Sequence, residues 1–191
     1  MPAVVERVIP VISRRTRTQQ RCPVLFHNLS VASELHQRLI LRLREQARDV
    51  YRLISGLPES QLNYRLEAGQ WSLKEILCHL WRTQRVFEQR IETLLKENNP
   101  EIAIYEPDGD AEFERLVARP TAEALTGFLT ERQRFLQRLE SLAPADWERP
   151  GIHPEFPSYD VRFQVEYMVH HEAHHIHQMF RRRALVLAQP R

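Results

Sequence analysis

Five of the nine histidines in this 191-residue chain stand between His170 and His177, in the run VHHEAHHIHQM. An imidazole titrates near ~6.5 and offers two ring nitrogens, so a cluster this dense reads as a metal site, a pH-sensing group or an accident of composition. Two pairs have i, i+4 spacing: His171 with His175, and His170 with His174. Side chains so spaced stack on one helix face, where either pair could hold one metal ion.

The helical wheel separates the two pairs. Each residue turns the direction by about 100°. With His171 at zero, His175 lies at about +40°, Gln178 near −20° and Tyr167 near −40°, while His170, His174 and His177 form a neighbouring stripe at about −60° to −120°. Val161, Val165, Met168, Val169, Ile176 and Met179 spread from about +60° to +160°, so His171 and His175 border the core while His170 and His174 face outward. A metal site inside a helical bundle needs more than two ligands. Of the other histidines, His27 lies in the N-terminal segment, His153 in a proline-rich loop, and His36 among polar neighbours early in the first helix. His79 stands beside the apolar stripe Leu73, Ile76, Leu80 and Phe87. It reads either as a satisfied core residue or as a third ligand.

Four segments carry the helical periodicity that must position these groups. The first runs from Val31 to Ile54, with Leu35, Leu39, Leu43 and Val50 recurring along it. The second opens on Ser72-Leu73-Lys74-Glu75, a capping box in which the serine hydroxyl and the glutamate carboxylate each bond the other's backbone amide, and runs to Lys96. The third follows Pro120, with Thr121 as N-cap, and continues to Leu142. The fourth runs from Val161 to Leu187; Arg181, Arg182 and Arg183 lie in its last turns, where cations complement the macrodipole. The stretch IAIYEPDGDAEFERLVARP forms a long connection with one short helix, and a proline-rich turn, GIHPEFPSYD, precedes the fourth helix. No convincing strand is visible. The expected fold is all-α: a four-helix bundle over residues 31–187 with a long crossover between helices 2 and 3. Residues 1–30 read as an N-terminal extension, a flexible tail; its first 22 residues hold five arginines against one glutamate, but Pro10 interrupts any amphipathic pattern.

Composition narrows the function classes. A hydrophobic share of 42% and a charged share of 27% belong to a globular chain rather than a disordered one. Five glycines leave few of the tight turns an all-β fold needs. A net charge of +2, with no basic stripe along one helix, argues against direct nucleic-acid binding. Cys22 and Cys78 form no CxxC pair, so neither a disulfide framework nor a cysteine zinc site is indicated, and a reducing cytoplasm is the expected location. No apolar run approaches the ~20 residues of a membrane-spanning helix.

Trp71-Ser72-Leu73-Lys74-Glu75-Ile76-Leu77-Cys78-His79-Leu80 resembles the W-S-x-x-E-I-x-x-H-L signature of the DinB-like superfamily, which includes the YfiT-type candidate metal-dependent hydrolases. His171-Glu172-Ala173-His174-His175-Ile176-His177-Gln178 resembles the H-x-x-H-H-x-x-Q signature of that family's last helix, and Leu57-Pro58-Glu59-Ser60-Gln61-Leu62 its L-P-x-x-x-L approach. The resemblance spans residues 31–184. It implies a four-helix bundle, often a homodimer, with His79, His171 and His175 on a divalent metal. The activities it implies are hydrolysis, or transfer using a low-molecular-weight thiol, on a small-molecule substrate. His170 and His177 go beyond the family pattern.

Three neutral imidazoles leave a divalent ion's charge uncompensated and a coordination position open, as in catalytic sites. Such an ion lowers the pKa of bound water towards ~7, or binds a thiol as thiolate. Zinc and nickel both suit nitrogen ligands. Three residues are candidates for support around the ligands. Gln178 could orient a ligand or simply bond in the core, Glu75 could act as a base but already serves the capping box, and Tyr167 could line the pocket or pack. Glu172 is expected to be solvated, and Trp71 to anchor the helix start. Asp108 and Asp110 read as wet loop residues or substrate contacts. The alternative reading is a non-catalytic metal-binding or dimerisation bundle, whose site would be closed by a fourth protein ligand such as His36.

Overall fold

The computed structural model describes residues 23–107 and 109–188, with side chains from residue 33 onward. Residues 1–22, most of the expected extension, lie outside the described residues, as do the side chain of His27 and Asp108. Helix α1 (Pro23–Ile54) begins earlier than the expected Val31. It is followed by the short α2 (Glu59–Leu62), then α3 (Leu73–Lys96), α4 (Ala111–Val117), α5 (Thr121–Glu140) and α6 (Val161–Leu187). Among the described residues no helix is long and apolar enough to cross a membrane.

The cross-links between helices fix their directions. Arg85 pairs with Glu131 and Arg138 with Glu92, so residue numbers rise together along α3 and α5, which are parallel neighbours. Gln46 meets Val169 and Leu53 meets Arg183, so α1 and α6 are parallel as well. His79 faces His171 and Phe87 faces Tyr167, which sets α6 antiparallel to α3. The order is up, down, down, up. Joining two parallel helices requires a return over the length of α3, whose 24 residues span about 36 Å. Residues 97–120, with α4 inside them, make that crossover.

Two apolar clusters fill the bundle. One gathers Leu39, Leu43, Phe87, Ile91, Leu94, Phe135, Leu139, Trp147 and Val165; the other gathers Val50, Leu73, Ile76, Leu77, Phe128 and Met179. Fully burying a side chain of this size contributes about 1.5–3 kcal/mol relative to exposure. Between the clusters, every long helix turns a polar group inward. Arg132 of α5, 1% exposed, donates to Gln84 of α3 (2.7 Å) and to the Leu43 carbonyl of α1 (3.0 Å), and forms a two-pronged ion pair with Glu172 of α6, 2% exposed. Gln46 of α1 donates to the Val169 carbonyl at 2.8 Å. Glu172 is therefore not solvated, contrary to expectation: its partner stands forty positions upstream, with no local mark in the sequence.

Three other differences have physical causes. Pro120 occupies the cap position of α5, and Thr121 is its first helical residue; the Thr121 hydroxyl donates to Glu59 instead, at 2.7 Å. Arg183 donates to the carbonyls of Leu53 and Ser55, closing the end of the parallel helix α1, and Arg182 donates to Gln70. The proline-rich stretch before α6 is a hairpin, β1 (Pro150–His153) paired antiparallel with β2 (Phe156–Asp160), a small addition to the all-α bundle. Pro150 opens its strand, where a missing amide costs nothing. The crossover joins alongside: the Ile102 amide donates to the Ile152 carbonyl and the Ile152 amide to that of Pro100, both at 2.8 Å. Gly151 permits this approach, since a Cβ there would lie 2.4 Å from the Leu94 side chain and 3.2 Å from the Pro100 carbonyl. Arg149 ties the hairpin to the end of α3 by donating to Leu94 and Glu97 carbonyls, each at 2.7 Å.

Arg132→Met leaves the Glu172 charge buried and unpaired, at an expected cost of about 3–5 kcal/mol. Urea unfolding checks this, and a loss under ~1 kcal/mol would remove the pair from its role as the tie between helices. Burial first, and then the charge of Glu131, pushes the Glu88 carboxyl up to about 7 from an ordinary 4.5. Between those values the folded chain holds a proton that the unfolded chain has released, so stability falls as pH rises through the window. Glu88→Gln should accordingly gain about 1 kcal/mol at pH 8, and the gain should fade below pH 5 in thermal melts.

Candidate metal centre

The site begins at a helix start. The Ser72 hydroxyl accepts from the Glu75 amide (3.2 Å) and the Glu75 carboxylate accepts from the Ser72 amide (2.8 Å), the reciprocal box expected from the sequence. Arg65 grips the same carboxylate, so Glu75 is engaged in structure and holds its proton less readily than an ordinary glutamate despite its burial. Two turns on, the helix delivers His79 into the bundle.

Opposite it, α6 supplies His171 and His175 from consecutive turns. One ring nitrogen from each of the three histidines falls within 4.8 Å of the others, the one group of three or more such donors among the described residues. Nε2 of His79 and Nε2 of His171 stand 3.2 Å apart. Ring centroids are 4.6 Å apart for His79 with His175 and for His171 with His175. His170, His174 and His177 are exposed, as the wheel predicts. His36 is elsewhere, stacked on Trp147 at 4.2 Å. Cys78 is buried on another face of α3, its thiol pushed up to about 12 by burial.

Burial, reinforced by the neighbouring imidazoles, pushes His79 and His171 down to about 3 and lowers His175 as well. All three are neutral at pH 7, the state in which an imidazole nitrogen has a lone pair to give. Gln178 orients one of them: its Oε1 accepts from Nδ1 of His175 (2.9 Å), leaving Nε2 of that ring for the cluster, while its Nε2 donates to His174 (2.8 Å). Nδ1 of His171 is buried without a hydrogen-bond partner. Two nitrogens bound tetrahedrally at ~2.0–2.1 Å would stand about 3.3–3.4 Å apart, close to the spacing of His79 and His171. The donor set fits a divalent metal ion.

Aromatic rings enclose the cluster. Trp71 packs on His79 at 4.6 Å and on Phe113 at 5.7 Å, so it does more than anchor the helix start. Phe87 meets His171 edge-on at 5.6 Å, and Tyr167 stacks over the same ring at 6.3 Å. A cavity of about 160 Å³ opens beside His79 and His171. Thr83, Phe87, Arg90 and Tyr167 line it from the helices, Ile104, Tyr105 and Pro107 from the crossover, and His153, Glu155 and Phe156 from the hairpin. The far wall was not foreseen. Its one sequence signal was a proline in the second position of the turn His153-Pro154-Glu155-Phe156, whereas the stripe His79, Thr83, Phe87, Arg90 along one face of α3 marks the near wall. Asp110 is not free for substrate: it caps α4, pairs with Arg82 at 2.6 Å and accepts from Tyr105 at 2.7 Å.

The family model of the DinB superfamily matches residues 42–179. The chain belongs to the DinB superfamily. Among similar proteins, YuaE of Bacillus subtilis (strain 168) is 27% identical over 139 residues, covering 66% of this chain and 85% of that protein. A protein of Bacillus mycoides (strain KBAB4) bearing the name "putative metal-dependent hydrolase" is 23% identical over 146 residues, 76% of this chain and 84% of that one. The solved structure of YfiT from Bacillus subtilis, described as a probable metal-dependent hydrolase with an unusual four-helix bundle topology, superposes with a TM-score of 0.68 at 20% identity, covering 77% of this chain and 85% of that one. The up, down, down, up order of this DinB-superfamily bundle is not the simple antiparallel one.

Removing the cap that sets the start of α3 has a measurable cost. Ser72→Ala should destabilise the fold by about 0.5–2 kcal/mol in urea unfolding, and a neutral result would mean that Arg65 and Glu75 hold the helix start unaided.

Proposed function

We propose that this protein is a metal-dependent enzyme acting on a small molecule, a hydrolase or a transferase using a low-molecular-weight thiol, with His79, His171 and His175 as ligands of one divalent ion, zinc or nickel. The observation that carries this reading is three neutral imidazoles converging beside a cavity, with no fourth His, Cys, Asp or Glu in the group among the described residues. A closed structural site would need that fourth protein ligand. The names of the Bacillus relatives support the hydrolase reading.

Held there, a divalent ion would polarise a carbonyl or acidify a water or thiol. The chain's own groups do the rest. Gln178 keeps His175 in the tautomer that turns Nε2 inward. Trp71 and Phe113 shield one side of the cluster from water, and Phe87, Phe156 and Tyr167 give the cavity apolar walls on which a substrate can rest. Glu75 is no candidate for a base, since its oxygens are held by Ser72 and Arg65.

Elemental analysis of purified, untagged protein tests the assignment. About one metal equivalent per chain is expected, lost in His171→Ala and kept in His170→Ala. Metal retained in the first variant, or lost only in the second, would overturn it.

A further inference from the structure

We infer that the substrate is a small organic anion, its carboxylate or phosphoryl group bound by Arg90 at the end of the cavity away from the histidine cluster. The inference rests on the reading of the cluster as the reactive end; the Arg90 contact itself stands on separate observations. Arg90 lies three turns after His79 on the same face of α3, with Thr83 and Phe87 between them, so both ends of the cavity share one rigid helix. Its guanidinium carbon is 5.7 Å from the Phe87 ring, and that ring is 5.6 Å from the His171 ring. These distances bound the gap between guanidinium and His171 at about 11 Å. A molecule with a short apolar middle spans it.

Arg90 touches the Phe87 ring and lies against the Tyr159 hydroxyl, but its charge is not neutralised by an acidic partner among the described residues. One of its nitrogens donates to the Ala103 carbonyl of the crossover at 2.7 Å, which fixes the fork, and it forms no ion pair with a carboxylate among the described residues. Arg82 and Arg85, on the same helix, are both paired with acidic partners. Beside Arg90, the buried His153 accepts from the Glu155 amide through Nδ1 at 3.2 Å, which leaves its Nε2 free to donate to a ligand. Burial first, and then the positive charge of Arg90, lowers the pKa of His153, placing the two groups in one field. Glu155 also lines the cavity, but it is exposed to solvent at the rim, where its charge is screened. A charged fork meeting an anion in a partly dry cavity gives a charge-assisted, two-pronged bond.

The test uses three probes on the full-length protein in NMR-monitored titrations: 3-phenylpropionate, phenylphosphonate and the neutral 3-phenylpropanamide. In chelator-treated, metal-free protein at least one anion should bind about tenfold or more tightly than the amide. Arg90→Gln should abolish that preference, and Arg90→Lys, which keeps the charge, should retain part of it. Thermal melts of both variants check that loss of the Ala103 bond has not unfolded the crossover. The anion that shows the preference identifies the headgroup as carboxylate or phosphoryl. Equal binding of acid and amide, or a preference that survives Arg90→Gln, would overturn the inference. So would a preference that appears only after zinc is added, because the anion would then be held by the metal centre. The metal-free arm reads Arg90 alone, so it stands or falls independently of the metal analysis of His171→Ala.

Discussion

A guanidinium buried at the centre of a helical bundle has to be met on every side. Arg132 finds its acceptors on α1, α3 and α6, one from each of the other long helices, and those contacts set how the four are rotated and how far each is slid along its axis. Such a pair adds little net stability compared with well-packed apolar groups, but it rejects other registers, in which a charge would lie bare in the core. The polar layer divides the two apolar clusters, and the histidines lie close to its level. Glu172 reaching towards α5 turns α6 so that His171, one residue away, and His175, one turn on, face α3. The position of the cluster follows from the ion pair.

The electrostatics of the cluster follow from the same burial. Desolvation favours the neutral form of each imidazole, and each ring opposes a charge on its neighbours. No carboxylate joins the group among the described residues, so the cluster presents nitrogen lone pairs within largely aromatic walls. Gln178 completes the arrangement from the outside, using one amide to tie an inward histidine to an outward one.

How much of this was legible in the chain depended on how local the cause was. The start of α3 could be read because Ser72 and Glu75 complete their bonds within one turn. The span of α6 and the inward turn of His171 and His175 could be read because period and apolar stripe lie in a single segment. Glu172 could not, since nothing near it announces Arg132. The hairpin was hidden because Pro150 and Pro157 suggest a turn, although an edge strand accepts prolines where no ladder amide is required. The far wall of the cavity was harder still: Tyr105 and His153 come from two separate segments and meet Arg90 of α3 only after the crossover docks on β1.

That docking divides the cavity into parts of different permanence. The near wall belongs to α3 and α6 and moves only if the core moves. The far wall belongs to two connecting segments, sewn together by the paired backbone bonds of Ile102 and Ile152 and by Arg149 at the end of α3. The bonds of Ile102 and Ile152 are made by main chain, so they tolerate exchange of most side chains along the two segments, Arg149 excepted. A lineage built on this bundle can therefore trade one substrate for another by editing the linkers, while the apparatus that would activate it is inherited intact.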